Sequence, residues 1–328
     1  MLCGLRRGVG FQRVVGFRRR LLSTQVEETV ESSSLKAIDV GKLSSEEVER
    51  FRKEGAVVVR NVFDEDWIEA LRTAAEANMA DPGPLCDEHA AAAGTGGRFH
   101  DDQFLWKRHS AMEEYVMKSG AGALAARAMK SKTSHIFYDQ LLVKEPGTVA
   151  PTPWHSDHSF WHLSGTQICS LWLALDDVAA DVGVAYVQGS HLERKLHAIT
   201  NFSGGDHSDK NTYEGADMSL DPVPDVDALV ERGSLKLLKF DMRPGDVILF
   251  DSFVIHGAKG NTNTTNRRRG YATRWCGDDV TFDSRPGTMH QGWAKNGYDA
   301  NLNHGDALGL APHIHPDVIP FYQRPKDD

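Results

Sequence analysis

The chain has 328 residues, 40% apolar and 25% charged, which is ordinary globular usage and excludes a largely disordered protein. Its formal net charge of −9 makes the body a poor ligand for nucleic acid or anionic membranes. Four scattered cysteines, Cys3, Cys86, Cys169 and Cys276, form no C-x-x-C pair, which excludes a disulfide framework and a cysteine zinc site.

Residues 1–26 carry six arginines (Arg6, Arg7, Arg13, Arg18, Arg19, Arg20) and no acid; without them the net charge would be −15. Mixed with Leu, Val and Phe and followed by Ser23 and Thr24, they read as a transit peptide. A mitochondrial address is expected, with plastid or cytoplasm as the alternatives. Residues 27–40 read as a linker, and 41–328 as one domain. No apolar run approaches the roughly 20 residues that span a bilayer, so no membrane span is expected.

Ser44 and Glu47 have capping-box spacing and open a helix that ends near Gly55. The β-branched run from Ala56 to Val59 is a strand. Asp64 caps a second helix with Trp67, Ile68 and Leu71 on one face, ending before Pro82-Gly83. Residues 83–100 are small and Gly/Ala-rich, and read as a loop. Ser110 and Glu113 repeat the capping-box spacing and predict one helix to about Met129. The helical N-terminal part thus covers 41–130. From 131 to 280 the chain becomes short β-type runs between Gly, Pro, Asn and Asp: 135–144, 168–175, 183–187, 234–240, 246–250 and 270–275. This texture predicts a mainly β protein with flanking helices, its core a jelly roll or β-sandwich. Residues 192–233 are polar and long for a loop and read as an inserted lid; 281–328 read as a C-terminal extension.

In Trp154-His155-Ser156-Asp157, positions i and i+2 of a strand face one way, so His155 and Asp157 can share one metal. His256 ends the apolar run from Phe250 and offers a third ligand. Two histidines and one carboxylate on one face leave open positions, the pattern of iron(II) oxygenases. A lone H-x-D string is weak, because His100-Asp101-Asp102, His207-Ser208-Asp209 and His304-Gly305-Asp306 match it too. Only His155 is followed by a clear strand and has a partner histidine at the end of a buried-looking one. A rival set of His207, Asp209, His313 and Arg324 lacks strand texture.

Arg267, Arg268 and Arg269 lie eleven to thirteen residues after His256. One of them, pointing inward, can grip a carboxylate through paired hydrogen bonds. If it is Arg268, then Gly270, Ala272 and Arg274 share its face. If it is Arg267 or Arg269, then Tyr271, Thr273 and Trp275 do. Arg268 is preferred, because small neighbours leave room beside a metal. Phe160, Trp161, Tyr138, Phe104 and Trp106 are weaker candidates for a pocket, and core packing explains them equally well. His158 and His162 read as neighbours of the site or surface residues.

The stretch from Tyr138 to Lys144, Pro153-Trp-His-Ser-Asp157, Trp172-Leu-Ala-Leu-Asp-Asp-Val178, Gly189-Ser-His191, Gly245-Asp246, His256-Gly257, Asn261 and the run from Arg268 to Trp275 resemble the phytanoyl-CoA dioxygenase family over roughly residues 40–300. The resemblance implies a double-stranded β-helix, cupin-like, with iron(II) on His155, Asp157 and His256. It further implies 2-oxoglutarate against Arg268, with Gln140 and Trp172 lining its pocket, dioxygen as oxidant and ascorbate in support. The expected reaction hydroxylates an aliphatic C–H of a small organic metabolite, releasing succinate and carbon dioxide. Asp157 stands where halogenating relatives have a small residue, which favours hydroxylation. Gln188 stands where the family has proline before Gly-Ser-His, in a loop read as structural. Two other classes fit the triad: a zinc hydrolase and a catalytically silent metal-binding protein. The arginine anchor speaks against both. A serine hydrolase is disfavoured, since no G-x-S-x-G elbow occurs. The sequence identifies neither the substrate nor the oligomeric state.

Overall fold

The structure is a computed structural model that describes residues 35–89, 96–199, 217, 219–298 and 301–310. The arginine-rich segment, much of the insertion and the rival set His207, Asp209, His313 and Arg324 lie outside the described residues.

Helix α1 (Ser45–Glu54) opens on a full capping box between Ser44 and Glu47. It leads into β1 (Ala56–Val59). Asp64 accepts from the Trp67 backbone N–H to cap α2 (Glu65–Ala80), which buries Trp67, Ile68 and Leu71. Strands β2 (Asp87–Glu88) and β3 (Phe99–Gln103) follow, where the composition had suggested only a loop. Pairing with β4 overrides weak local propensity there, and His100, Asp101 and Asp102 are buried strand residues. The single helix expected up to Met129 is two, α3 (Ser110–Lys118) and α4 (Ala121–Met129). Gly120, at φ 89°, turns the chain between them, and Ser110 lies inside α3 rather than capping it.

The strands that follow are β4 (His135–Lys144), β5 (Thr152–His155), β6 (Leu163–Ser164), β7 (Ile168–Ala174) and β8 (Val184–Val187). Then come β9 (Leu237–Leu238), β10 (Val247–Asp251), β11 (His256–Ala258), β12 (Arg268–Cys276) and β13 (Thr281–Phe282). The expected strand at 234–240 shrinks to two residues. Within the insertion, α5 (Val226–Glu231) is helical. A last helix, α6 (His290–Lys295), lies in the C-terminal extension.

Among the described residues the strands form a seven-stranded sheet in the order β1-β10-β7-β12-β4-β3-β2, a four-stranded sheet β5-β11-β8-β9, and the pair β13-β6. Every strand pairing is antiparallel. The outward residues of the large sheet, among them Leu171, Leu173, Leu141, Val143, Tyr271 and Trp275, pack on the helices in one core. The inward residues Trp172, Ala174, Ile248, Phe250 and Ala272 pack with Tyr186 of the small sheet in another. This is the expected jelly roll with flanking helices. An aromatic cluster (Phe104, Phe137, Tyr138, Phe160, Trp161, Trp293) joins residues 160–163 and the C-terminal extension to one end of the large sheet.

Candidate metal centre and ligand pocket

Strand pairing brings the three sequence-predicted ligands together. His155 ends β5 and His256 begins β11, and the two are direct partners in the antiparallel register. Asp157 opens a 3-10 turn two residues beyond His155. Asp157 Oδ1 lies 3.5 Å from His155 Nε2 and 3.7 Å from His256 Nε2. The imidazole centroids are 4.2 Å apart, and all three side chains are buried.

Backbone carbonyls set the tautomers. His155 Nδ1 donates to Pro153 O at 2.8 Å, and His256 Nδ1 donates to Val254 O at 3.0 Å. A carbonyl only accepts, so each Nδ1 carries a proton, and each Nε2 faces Asp157 as the nitrogen left to bind a metal. Burial, reinforced by His155, pushes His256 down to about 4, so its ring is neutral at physiological pH. Burial alone would raise the Asp157 carboxyl, but His256, His155 and Arg274 outweigh it and hold the group well below the usual carboxylate range. Two imidazole nitrogens and one carboxylate on one face fit a divalent metal with open positions.

Asp157 Oδ2 points the other way, accepting from Ser170 Oγ at 3.3 Å with Arg274 Nε 3.9 Å off. Phe160 meets His155 edge-on at 5.7 Å. His158, which offered a further imidazole, stacks on Phe253 at 3.8 Å and hydrogen-bonds Ser252 through Nδ1. Tyr138 accepts from Trp161 Nε1 at 3.1 Å.

The β12 register separates the three arginines. Arg267 pairs with Glu145 at 2.7 Å and also with Glu76. Arg269 pairs with Asp176 at 2.7 Å and Glu76 at 2.8 Å on the outer face. Arg268 shares the inward face with Gly270, Ala272 and Arg274, is buried, and is hydrogen-bonded to the Val182 carbonyl. Burial pushes it down to about 10, so it stays charged. Trp172 lies so close over Gly270 that an added Cβ would meet its ring at 2.3 Å, which explains the glycine. Gln140, opposite Ala272, donates to Asp101 Oδ1 at 2.5 Å.

Sequence reasoning missed Lys144. It sits opposite Arg268 in the β4–β12 register with its Nζ 4.3 Å from the Phe99 ring centre. Burial and the neighbouring Arg268 push its ammonium down to about 6. The signal was available: polar residues at alternate, core-facing positions of β4. Tyr186 was missed too. Its ring stacks on His256 at 5.7 Å, and its hydroxyl is buried with no hydrogen-bond partner.

Of the other H-x-D strings, His304 is exposed. His100 and Asp102, with Cys86, also hold ligand atoms within 4.8 Å of one another. Those atoms are already committed: Asp102 Oδ2 accepts from Asn78 Nδ2 and Gly83 N, and His100 lies between Asn78 and Glu88. Burial, reinforced by Asp102, pushes the Cys86 thiol up to about 12, so it is no thiolate.

Ectoine dioxygenase of Nocardia farcinica is 24% identical over 228 residues, covering 67% of this chain and 74% of that protein. The non-heme alpha ketoglutarate dependent carbocyclase SnoK from nogalamycin biosynthesis shares the fold with a TM-score of 0.61 at 22% identity, over 83% of this chain and 95% of SnoK. EctD from S. alaskensis, solved with 2-oxoglutarate and 5-hydroxyectoine, aligns with a TM-score of 0.55 at 19% identity, over 72% of this chain and 77% of EctD. Residues 51–270, about two thirds of the chain, match the phytanoyl-CoA dioxygenase (PhyH) family model. The chain belongs to the phytanoyl-CoA dioxygenase family of iron- and 2-oxoglutarate-dependent dioxygenases.

Proposed function

We propose that His155, Asp157 and His256 hold iron(II), and that the enzyme hydroxylates an aliphatic C–H of a small organic metabolite. The observation that carries this reading is the buried triad, with both Nε2 atoms and Asp157 Oδ1 on one face, across the inter-sheet space from a charged Arg268. Iron held there would supply, with 2-oxoglutarate and dioxygen, the oxidant for C–H hydroxylation, with succinate and carbon dioxide as co-products.

The chain's own residues bind, orient and enclose. Arg268, with Lys144 beside it, receives the far carboxylate of 2-oxoglutarate through charged hydrogen bonds. Trp172 and Gln140 wall that space, Trp172 over Gly270 and Gln140 fixed by Asp101. Ser170 fixes the rear oxygen of Asp157 so that its other oxygen stays turned to the histidines. Phe160 screens His155 from water. A zinc hydrolase needs no second carboxylate anchor, which is why Arg268 and Lys144 weigh for the dioxygenase. The acidic body offers no clear seat for the phosphates of a coenzyme A thioester, which favours a free metabolite. We place the protein in mitochondria on its arginine-rich N-terminal segment.

Succinate release with iron(II), ascorbate, 2-oxoglutarate and oxygen tests the assignment, with 2-oxoglutarate binding to the Mn(II)-loaded protein as a second readout. His155→Ala should abolish both, and Arg268→Ala should weaken 2-oxoglutarate binding by roughly a hundredfold, as expected for a lost charge-assisted pair. Undiminished succinate formation in His155→Ala would sink the ligand assignment.

A further inference from the structure

Arg274 is the inward-facing residue of β12 nearest the triad, and its guanidinium is only partly satisfied by protein groups. It is 4% exposed. Its guanidinium lies 4.8 Å from the Tyr138 ring centre, and Nη1 donates to the Ala272 carbonyl at 3.1 Å. Its Nε is buried with no hydrogen-bond partner. The nearest carboxylate oxygen, Asp157 Oδ2 at 3.9 Å, is beyond hydrogen-bond reach and already accepts from Ser170. Arg194 and Arg285, the cations against residues 158–161, are matched to Asp251 at 3.1 Å and Asp283 at 2.9 Å. A second orphan faces the same space. The Tyr186 hydroxyl also lacks a partner, and it interacts electrostatically with Asp157, Arg274 and Arg268. Buried polar atoms without partners are rare in folded proteins and call for an explanation.

Charge points the same way. Besides the two histidines of the triad, the acidic and basic side chains facing the inter-sheet space, among the described residues, are Asp157, Arg268, Arg274, Lys144 and the paired His89 and Asp101. A divalent metal and the doubly negative 2-oxoglutarate balance Asp157 and Arg268 and leave the charge of Arg274 over. A protonated Lys144 adds to that excess. An uncompensated cation in a low-dielectric interior is costly, and a ligand anion removes the cost.

We propose that Arg274, assisted by the Tyr186 hydroxyl, receives an anionic group of the substrate, a carboxylate in the simplest case. The substrate class is thereby an organic acid, its anion placed on the Asp157 side of the metal. This rests on the dioxygenase reading above and adds the charge of the substrate to it.

The test uses the protein loaded with Mn(II) and 2-oxoglutarate without oxygen, with acetate and its neutral counterpart acetamide as probes. Paramagnetic relaxation of each probe's methyl protons reports residence near the metal. The expected result is saturable relaxation of acetate but not acetamide. Arg274→Gln should weaken the acetate effect on the order of tenfold or more while still binding Mn(II) and 2-oxoglutarate, and Arg274→Lys should restore part of it. The proposal is overturned if acetate and acetamide behave alike, if acetate has no effect, or if Arg274→Gln responds as the wild type does. Loss of Mn(II) binding in Arg274→Gln, with no acetate effect in the wild type, would make Arg274 a support for Asp157 and also overturn it. A wild type that binds neither Mn(II) nor 2-oxoglutarate overturns the dioxygenase reading itself.

Discussion

Lys144 carries the sharpest pH dependence in the site. Its ammonium is pushed down to about 6 by burial and by Arg268, so in the free protein it is deprotonated at physiological pH. A carboxylate set against it favours the charged form, so 2-oxoglutarate binding above that value takes up a proton. Affinity for 2-oxoglutarate should therefore fall as pH rises above about 6, by up to roughly tenfold per unit. Calorimetric titration at several pH values checks this, and Lys144→Met should flatten the slope; an equal slope in that variant would place the titrating group elsewhere. At this scale the sequence disclosed His155, Asp157 and His256 through i, i+2 spacing and a histidine at a strand end. Arg268 was separable from its neighbours only as one of two alternating faces, and the acids on Arg267 and Arg269 decide between them. Arg274 appeared only as a residue sharing a face. That its Nε goes without a hydrogen bond depends on Ser170 and Asp157, which are distant in sequence, and no local pattern reports that. Gln188 shows the converse: its backbone N–H donates to Lys236 O at 3.0 Å, a bond that proline could not make.

Strand β4 presents a different titrating group to its outer face. Asp139 is buried under the helices, accepting from Tyr271 Oη at 2.7 Å and the Trp106 N–H at 2.8 Å. Burial outweighs these bonds and pushes its carboxyl up to about 7. A group that binds its proton more tightly folded than unfolded stabilises the fold at low pH. That contribution is full below the ordinary value of 3.8 and is lost as pH rises through about 7. At pH 8 the ionised form costs on the order of a few kcal/mol. Asp139→Asn keeps an acceptor for both donors, so it should raise Tm at pH 8 and by clearly less at pH 5, where only part of the ionisation penalty has built up. Thermal melts at both values decide; a parallel loss at both would mean that the hydrogen bonds, not the charge, dominate. Elements with strong local chemistry were legible: the capping box of α1, the Asp64 cap of α2 and the uninterrupted β4. Strand β3 was not, because His100, Asp101 and Asp102 carry no β-propensity and are held by β4 and by the network around Asn78. The break between α3 and α4 was hidden because Ser119-Gly120 sits within an otherwise helical run.

Across the whole molecule, the small sheet carries two of the proposed metal ligands, His155 and His256, Asp157 follows in the turn beyond β5, and the large sheet carries the proposed anchors, Arg268 and Lys144. Outside both, Phe160, Trp161, Phe282 and Trp293 close the aromatic end. The jelly roll was readable from strand texture; the pairing of the extension through β13 and β6 was not, since two-residue strands leave no periodicity. The proposed targeting role of residues 1–26 is tested at this scale. Fused to a fluorescent protein they should carry it into mitochondria, and replacing the six arginines with glutamine should leave it in the cytosol. Mitochondrial accumulation without the arginines would refute the proposal. The direct pairing of His155 with His256 also has a consequence for biosynthesis. The first half of the emerging chain contains His155 and Asp157 but not their partner, and β1 waits for β10 to close its edge. A nascent chain thus offers metal two donors on an unpaired strand, and the third arrives only when most of the protein has left the ribosome. On this reading the complete ligand set exists only late in the life of the chain, once His256 has emerged and β11 has paired with β5.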